Sequence, residues 1–251
     1  MPIPVREKLP TRIDNLVIQI TDDGSRTLMQ NDTNDGFHSG CGALTETRDV
    51  YLKNSGVDER LRQNIPTRVF EVGLGTGMAM LVTLDAATRY ATPLQYVAVE
   101  RDWPPADILG QLQPQTWIEH DNLADAYLAF RKTVEQSREH QVESWSPSSD
   151  HLVTIHHCDW SKWNDRDNEP FDAIYFDPFA PASNPELWSE NVFRQMHTLL
   201  TCGGKFVTYC VNRVVRDTLT NVGFDVRRVP GPTGGKREVL IATKRETQGT
   251  D

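Results

Sequence analysis

The stretch that decides the fold is residues 68–83, which read RVFEVGLGTGMAMLVT. Val69–Val72 is apolar, partly β-branched and bounded by turn residues, which is typical of a buried parallel strand. Three alternating glycines follow the strand: Gly73, Gly75 and Gly77. A helical pattern begins at Met78, so its N–H groups and its dipole would face any ligand lying over the glycines. The stretch therefore predicts a strand–turn–helix unit that binds a nucleotide-like cofactor.

The spacing of an acid and the glycines discriminates among cofactors. A dinucleotide fingerprint needs a small residue where Met78 stands and has no acid two residues before the first glycine, where Glu71 stands. No Gly-Lys-Ser/Thr follows, which excludes a Walker A loop. The pattern E-x-G-x-G-x-G instead resembles motif I of the class I S-adenosylmethionine (SAM) methyltransferases. We therefore predict that SAM is bound by Glu71, Gly73, Gly75 and Gly77; structural glycines alone are the alternative.

Acids at the ends of the next two predicted strands extend this interpretation. Leu94–Val99 reads as the second strand, and Glu100 ends it, where a carboxylate would meet the ribose hydroxyls of a cofactor. Leu152–His156 reads as the third strand, followed by Asp159 and Trp160. There the Asp159 carboxylate would accept a hydrogen bond from the adenine amino group, while the Trp160 ring would stack on the base. A solvated aspartate and a packing tryptophan remain the alternative for the last pair.

Length and charge set the class of protein. The 251 residues suffice for one large α/β domain, or for a domain with a small appendage. A net charge of −9 argues against indiscriminate nucleic-acid binding but leaves room for a local basic face. The sequence has neither a bilayer-length apolar run nor the apolar core of a signal peptide, so we expect a cytoplasmic protein without membrane contact.

Cysteine spacing predicts thiols rather than a disulfide framework or a metal site. The four cysteines are scattered, and no pair has the spacing of a standard zinc motif. Histidines near two of them do not change this, because their spacing matches no standard pattern either. We therefore expect no metal cofactor. The cysteines are Cys41, Cys158, Cys202 and Cys210.

The chain before the glycine stretch reads as an extension. Leu16–Ile20 and Arg26–Gln30 flank Asp-Asp-Gly-Ser and predict a small β-hairpin. A glycine-rich polar loop over residues 36–48 could cover the cofactor site. Later in the chain, Ser144–Asp150 is polar and reads as an exposed loop. The predicted regions are residues 1–60, a hairpin and cofactor-covering extension, and residues 61–251, a methyltransferase domain.

The predicted fourth strand carries the candidate chemistry. Phe171–Phe176 runs into Asp177, followed by Pro-Phe-Ala-Pro, and two prolines stiffen a loop at the sheet edge where ligands bind. The loop is similar to the Asp/Asn-Pro-Pro-aromatic motif of methyltransferases that act on amino groups. In that motif an oxygen atom accepts hydrogen bonds from the N–H groups of the substrate amine. The nitrogen lone pair then points at the methyl group of the cofactor. The alternative is an N-cap and turn, but Asp177 does not stand at the N-cap of the next helix.

Basic residues concentrate in the last third of the chain. Between Lys205 and Lys244 there are eight lysines and arginines against three acids. The loop over 230–237 contains two prolines and three glycines and ends in Lys236 and Arg237, a composition that suits contact with phosphate. Solvated basic residues beside a strand are the alternative.

Nearly the whole chain resembles one family, the tRNA methyltransferases (MnmD-like, or the methyltransferase half of MnmC) that form 5-methylaminomethyl-2-thiouridine at the wobble position. The most specific blocks are FDPFAPASNPELW over residues 176–188 and PGPTGGKRE over residues 230–238. The resemblance implies an α/β class I SAM methyltransferase fold. Such a fold is Rossmann-like, with a mostly parallel seven-stranded sheet and helices on both faces, here preceded by the small hairpin.

The resemblance also implies roles for residues outside the glycine stretch. The acid of the loop after the fourth strand, Asp177, would orient or deprotonate the amine. Phe179 would be catalytic and, with Pro181, would shape the uridine pocket. Glu46 would serve the entrance of the site. The tRNA backbone would be reached by Lys236 and Arg237.

The predicted function is SAM-dependent N-methylation of 5-aminomethyl-(2-thio)uridine in the anticodon loop of tRNA. No obligate protein partner is evident. No FAD is expected, because the sequence ends soon after the last predicted strand and has no room for the oxidoreductase half of the fused enzymes. Two alternatives remain open: a SAM-dependent enzyme acting on a small-molecule amine, and a non-catalytic RNA-binding protein with the SAM fold.

Overall fold

A computed structural model of the chain describes residues 5–135, 141–163 and 169–245. Among these residues there are eleven strands and seven α-helices. The strands are β1 (Lys8–Pro10), β2 (Leu16–Ile20), β3 (Arg26–Gln30), β4 (Thr67–Val72), β5 (Leu94–Glu100), β6 (Gln141–Ser148), β7 (His151–His157), β8 (Phe171–Phe176), β9 (Leu200–Thr208), β10 (Phe224–Pro230) and β11 (Glu238–Lys244). No helix in the described ranges is long and apolar enough to span a membrane.

The helices alternate with the strands of the main sheet. They are α1 (Ala43–Glu46), α2 (Val57–Arg62), α3 (Met78–Arg89), α4 (Ala106–Gln111), α5 (Asp121–Val134), α6 (Glu190–Leu199) and α7 (Arg213–Asn221). A π-helical segment, Thr47–Lys53, continues α1. One hydrophobic cluster contains buried side chains of α3 and α5, and a second contains those of α6 and α7. Helices therefore pack on both faces of the sheet, as predicted.

The eight strands of the main sheet lie in the order β10-β11-β9-β8-β4-β5-β7-β6. The five strands from β9 to β7 are parallel, whereas β11 and β6 each pair antiparallel with their neighbours. The chain reverses its direction of growth at β4, which has β5 on one side and β8 on the other. Ligands bind at the carboxyl ends of strands at such a switch point. The topology therefore brings the glycine turn, Glu100 and Asp177 to one edge.

The sheet contains one strand more than the seven predicted. The prediction of an exposed loop over Ser144–Asp150 was wrong, because β6 pairs with β7 through registers such as Trp145 with Val153. The strand lies at the sheet edge, so one of its faces meets solvent and can be polar. On the other face, Trp145 stacks on Phe130 with ring centroids 5.6 Å apart. A polar composition alone could not distinguish this edge strand from a loop.

The predicted N-terminal hairpin is present and forms part of a three-stranded sheet, β1-β2-β3. Ile18 and Leu28 from this small sheet are fully buried in the same hydrophobic cluster as α3. Burial of these side chains stabilises the attachment of the extension by roughly 1.5–3 kcal/mol each. The extension is thereby held beside the switch point, although a boundary near residue 60 stays a prediction.

Candidate active site

A cavity of about 470 Å³ opens at the carboxyl ends of β4, β5, β7 and β8. Its size is within the range of small-molecule and cofactor sites. Residues after each of these strands line it, together with the loop that precedes α1. Side chains that are distant in sequence therefore meet in one concave site.

The three glycines of the turn have different structural roles. A Cβ at Gly73 would lie 2.7 Å from the backbone oxygen of Asp177, and one at Gly77 would lie 2.5 Å from the hydroxyl of Tyr127. These two glycines are required for close packing of neighbouring segments. Gly75 has a φ of +52°, lines the cavity, and has the Phe37 ring 3.1 Å from its hypothetical Cβ. Gly75 is thus the glycine whose missing side chain keeps the cavity free.

Glu71 lies behind the cavity wall rather than on its surface. It is 1% exposed, and its Oε2 accepts a hydrogen bond of 2.9 Å from the hydroxyl of Tyr96. Burial raises the pKa of its carboxyl well above the ordinary value. The structure therefore places Glu71 in contact with Tyr96 of β5 and not among the residues that line the cavity.

Glu100 lines the cavity at the end of β5 and supports the glycine turn directly. Its Oε2 accepts a hydrogen bond of 2.8 Å from the backbone N–H of Gly75, and its Oε1 accepts one of 2.7 Å from Asp102. Burial raises the pKa of this carboxyl, and the backbone hydrogen bonds oppose that rise. The side chain is held rigidly with its oxygens at the cavity.

Asp159 and Trp160 line the same cavity after β7. Asp159 begins a short 3₁₀ helix, and its Oδ1 accepts hydrogen bonds from the backbone N–H of Ser161 at 2.9 Å and from its hydroxyl at 2.6 Å. Oδ2 lies 3.6 Å from the guanidinium of Arg101. The Trp160 ring stacks on Trp163 with centroids 4.9 Å apart. Both residues are anchored by protein contacts at the place expected for an adenine.

The loop after β8 is held at three backbone positions. The N–H of Asp177 donates to the carbonyl of Val72 in β4 at 2.9 Å. The carbonyl of Pro178 accepts from the Tyr209 hydroxyl, and that of Phe179 accepts from the indole of Trp188, each at 2.9 Å. These contacts fix the Asp177 carboxyl at the cavity, within a rigid wall.

Tyr51 is the immediate partner of Asp177. Its hydroxyl donates a hydrogen bond to Oδ1 of Asp177. Burial raises the pKa of the Asp177 carboxyl well above its ordinary value, and the Tyr51 hydrogen bond partly offsets that rise. The pKa of Tyr51 is also raised well above its ordinary value, first by burial and then by the Asp177 charge. The tyrosine therefore stays protonated and acts as a donor.

The π-helical segment explains how Tyr51 reaches the site together with Glu46. The N–H of Asn54 donates to the carbonyl of Asp49, five residues earlier, as a π-helix requires. In an α-helix of about 3.6 residues per turn, residues five apart point in different directions. The wider turn brings them to one side, so Glu46 lines the cavity and Tyr51 contacts Asp177.

Glu46 is buried, with an exposed fraction of 5%, and lines the cavity. Its Oε2 accepts a hydrogen bond of 2.6 Å from the backbone N–H of Ser39. Its Oε1 has no hydrogen-bond partner, and the nearest cation, Nζ of Lys236, is 3.9 Å away. Burial raises the pKa of this carboxyl, while the Lys236 charge and the Ser39 N–H oppose the rise.

Comparison with known proteins identifies the class of enzyme. Residues 122–245 match the family model described as S-adenosyl-L-methionine-dependent methyltransferase. The chain belongs to the S-adenosylmethionine-dependent methyltransferases. A crystal structure of MNMC2 from Aquifex aeolicus has the same fold, with a TM-score of 0.71 at 20% identity over 94% of this chain and 74% of that one. The predicted fold class is therefore confirmed.

The methyltransferase also has curated relatives that cover most of its length. It is 32% identical to the "tRNA 5-methylaminomethyl-2-thiouridine biosynthesis bifunctional protein MnmC" of Marinomonas sp. over 84% of this chain. It is 30% identical to the protein of the same name from Pseudoalteromonas atlantica over 92% of this chain. The chain spans only 31% and 34% of those two proteins. These matches confirm the resemblance to the MnmC methyltransferase family.

Two cavity residues of the methyltransferase were not singled out from the sequence. Phe37 meets Phe179 edge to face, with ring centroids 5.3 Å apart. His38 places Nδ1 2.7 Å from the Thr27 hydroxyl, and burial lowers its pKa to about 4, so it is neutral at pH 7. The only sequence signal was their place in the glycine-rich loop, which does not specify which side chains turn inward.

The basic residues near the C-terminus differ in their contacts with acidic side chains. Lys236 lines the cavity mouth, with Nζ 3.7 Å from the centroid of the Tyr209 ring. Arg237 is exposed beside it, and Pro181 is half-buried near the rim, outside the cavity lining. Several other arginines form ion pairs with nearby acids: Arg213 with Asp217, Arg227 with Asp225, and Arg228 with Glu238. These pairs reduce the local positive charge.

The methyltransferase shows no candidate metal centre in the part of the chain that the structure describes. No group of three or more histidines, cysteines, aspartates and glutamates there is placed to bind an ion. None of the four cysteines forms a disulfide bond, and two of them, Cys158 and Cys210, are buried.

Proposed function

We propose that this methyltransferase transfers a methyl group to the primary amine of 5-aminomethyl-(2-thio)uridine at the wobble position of tRNA, in the cytoplasm. The observation that carries the proposal is the placement of the Asp177 carboxyl in a rigid loop packed against the glycine turn, at the same cavity. The names of the full-length relatives support the same substrate. A small-molecule amine and RNA binding without catalysis are the competing functions.

The cavity residues fit the cofactor of the family. Gly75 leaves space for a close approach, and Glu100 presents a carboxylate beside it, suited to the ribose hydroxyls. Asp159 and Trp160 would hold the adenine. When bound, SAM supplies an electrophilic methyl group on a positively charged sulfur. Glu71 would act indirectly, through its hydrogen bond to Tyr96 behind the cavity wall.

Asp177 would act mainly by orienting the amine. The aminomethyl nitrogen must be neutral to attack, and a carboxylate that accepts one N–H bond fixes the direction of its lone pair. A carboxylate also favours the protonated amine, so proton acceptance is the smaller part of its contribution. Tyr51 holds one carboxylate oxygen, which leaves the other for the substrate.

The aromatic rings at the cavity suit an unstacked base. Phe37 and Phe179 meet edge to face at its border, and single-stranded bases commonly bind by stacking on aromatic side chains. Pro181 would stiffen the rim of this pocket. Lys236 and Arg237 would contact the tRNA backbone beside it.

Mass spectrometry of tRNA nucleosides tests the proposal. The purified protein is incubated with SAM and with tRNA that bears 5-aminomethyluridine, and the nucleosides are then analysed. We expect a mass increase of one methyl group on that nucleoside. Turnover of small amines without tRNA would favour the first alternative, and tRNA binding without transfer would favour the second.

We expect Tyr51→Phe to shift the acidic limb of the pH–rate profile to higher pH. The carboxylate of Asp177 is the active form, so activity is present above its pKa and is lost as the pH falls. Since the Tyr51 hydrogen bond lowers that pKa, its removal raises it. Hydrogen bonds to charged groups contribute about 1.5–3 kcal/mol, so the displacement of the limb to higher pH should be measurable. An unchanged acidic limb of kcat would contradict the assigned coupling.

We expect Lys236→Ala and Arg237→Ala to raise the KM for tRNA. Each variant removes one cation from the proposed backbone contact, so the salt dependence of tRNA affinity should lose about one counterion per residue. Titrations at several salt concentrations measure this slope. Arg227→Ala is the matched control because Arg227 is already paired with Asp225 at 2.8 Å. Equal effects of all three variants would point to net charge rather than a specific contact.

A further inference from the structure

The buried carboxylate of Glu46 has one oxygen without a partner. Oε2 accepts a hydrogen bond from the Ser39 N–H. Oε1 is also buried, but it accepts no hydrogen bond, and Glu46 lines the cavity. Leaving such an acceptor unpaired is costly, so its presence in a binding cavity points to a donor on the ligand. The Asp177 carboxyl is close enough for the Glu46 charge to raise its pKa. Two acidic acceptors therefore share this cavity.

We infer that Glu46 is the second hydrogen-bond acceptor for the substrate amine and that it limits the enzyme to one methyl transfer. This inference rests on the proposed function. A neutral primary amine has two N–H bonds and one lone pair. If Asp177 accepts one N–H bond and Oε1 of Glu46 accepts the other, tetrahedral geometry leaves the lone pair a single direction. The two acids together would fix the direction of the lone pair, whereas one acid alone would allow the amine to rotate about its C–N bond.

The same arrangement disfavours a second transfer. In the first transfer, the nitrogen forms a bond to the methyl carbon as the carbon–sulfur bond breaks, and the positive charge passes to nitrogen. The resulting secondary ammonium keeps two N–H bonds for the two carboxylates. After it loses a proton, the neutral secondary amine has only one N–H bond. To react again, it must place its new methyl group against one carboxylate and leave that buried acceptor unpaired.

Lys236 provides a competing explanation for the buried carboxylate of Glu46 at the cavity. Nζ of Lys236 lies 3.9 Å from Oε1 of Glu46. The role of Glu46 could instead be to hold this lysine beside the Tyr209 ring. In that case, loss of Lys236 would have the same consequence as loss of Glu46. If Glu46 binds the amine directly, removal of Lys236 changes tRNA affinity and leaves the number of methyl groups transferred unchanged.

Two Glu46 variants separate the functions of its two oxygens. In Glu46→Gln, the amide oxygen can keep the Ser39 N–H bond, which places the NH₂ group where Oε1 was. That donor cannot accept an amine N–H bond, so we expect kcat/KM for the first transfer to fall about tenfold to a hundredfold, with SAM affinity unchanged. Glu46→Ala removes the acceptor and leaves room for a methyl group, so we expect the second transfer to accelerate at least about tenfold relative to the first.

Two control variants complete the experiment. Glu186→Ala removes an exposed carboxylate of the same cavity, whose Oε1 already accepts a hydrogen bond of 3.3 Å from Asn184. Lys236→Met removes the competing partner. Each protein is incubated with tRNA that bears 5-aminomethyluridine or its monomethyl product, and mass spectrometry counts the added methyl groups. We expect both controls to stop at one methyl group.

The outcomes distinguish this inference from the proposed function. Single methylation by the wild type, dimethylation by Glu46→Ala and a slow first transfer by Glu46→Gln support it. If the wild type methylates the tRNA but both Glu46 variants match it in rate and product, the inference fails and the proposed function stands. Dimethylation by Lys236→Met also overturns it, in favour of the lysine contact. No transfer by the wild type overturns both. If Glu46→Ala does not fold, the rate of Glu46→Gln decides.

Discussion

Replacing Asp177 with asparagine is expected to lower the rate of methyl transfer by about a thousandfold while SAM affinity stays near the wild-type value. The amide oxygen can still accept the Tyr51 hydrogen bond, so the loop should keep its position. What is lost is the negatively charged acceptor that orients the amine, and misplacement of reacting groups can cost about 10²-fold or more. Single-turnover transfer measures the chemical step, and calorimetry measures SAM binding.

A stability measurement separates this effect from misfolding. Burial raises the pKa of Asp177, which means that the protein disfavours its charged form, so Asp177→Asn should not lower the free energy of unfolding. Asp177→Ala should abolish turnover as well. Asp35→Asn is a matched control, because Asp35 also lines the cavity, and its Oδ2 accepts an exposed hydrogen bond of 3.4 Å from the Ser183 hydroxyl. Full activity in either Asp177 variant would remove Asp177 from the mechanism.

Gly75→Val is expected to reduce SAM affinity by at least about a hundredfold. The backbone at Gly75 has a φ of +52°, and a Cβ there would already lie 3.1 Å from the Phe37 ring. The two methyl groups of valine would occupy cavity space at the point where the backbone must approach the cofactor. Isothermal titration calorimetry with SAM measures the loss directly.

Backbone strain is the alternative cause of any loss in Gly75→Val. A non-glycine residue in the left-handed region costs roughly 1–2 kcal/mol. Gly203→Val is the matched control, because Gly203 has a φ of +76° and no atom within 4 Å of its hypothetical Cβ. It should lower the free energy of unfolding and leave SAM affinity unchanged. Wild-type affinity in Gly75→Val would show that the turn does not approach the cofactor.

The strand–turn–helix unit could be predicted because its signals are local. A buried strand, a turn that needs glycine and the start of a helix each depend on residues adjacent in sequence, here within 68–83. The positions of Glu100 and Asp177 followed from the same reasoning, because an acid directly after a parallel strand must lie at the carboxyl edge of the sheet. The structure places both at the cavity.

Other features could not be predicted because they depend on contacts between distant segments. Polarity suggested a loop where β6 pairs with the edge of the sheet. Three glycines looked equivalent, yet Gly73 and Gly77 are required by the Asp177 backbone and the Tyr127 ring, respectively. Such requirements arise only when the strands and helices have packed.

The sequence by itself determined the class of fold and the positions of the glycine turn and Asp177 at the edge of the sheet, since each depends on a residue type at a fixed place along one strand. The tertiary structure decided which side chains surround Asp177. Tyr51 and Glu46 reach the Asp177 cavity because a helix widens into a π-helix and packs against α3 and β9, which no local pattern indicates. Burial then left one Glu46 oxygen without a partner. The unpaired state of that oxygen results from tertiary packing. Its proposed role in limiting the number of methyl groups rests on this unpaired state.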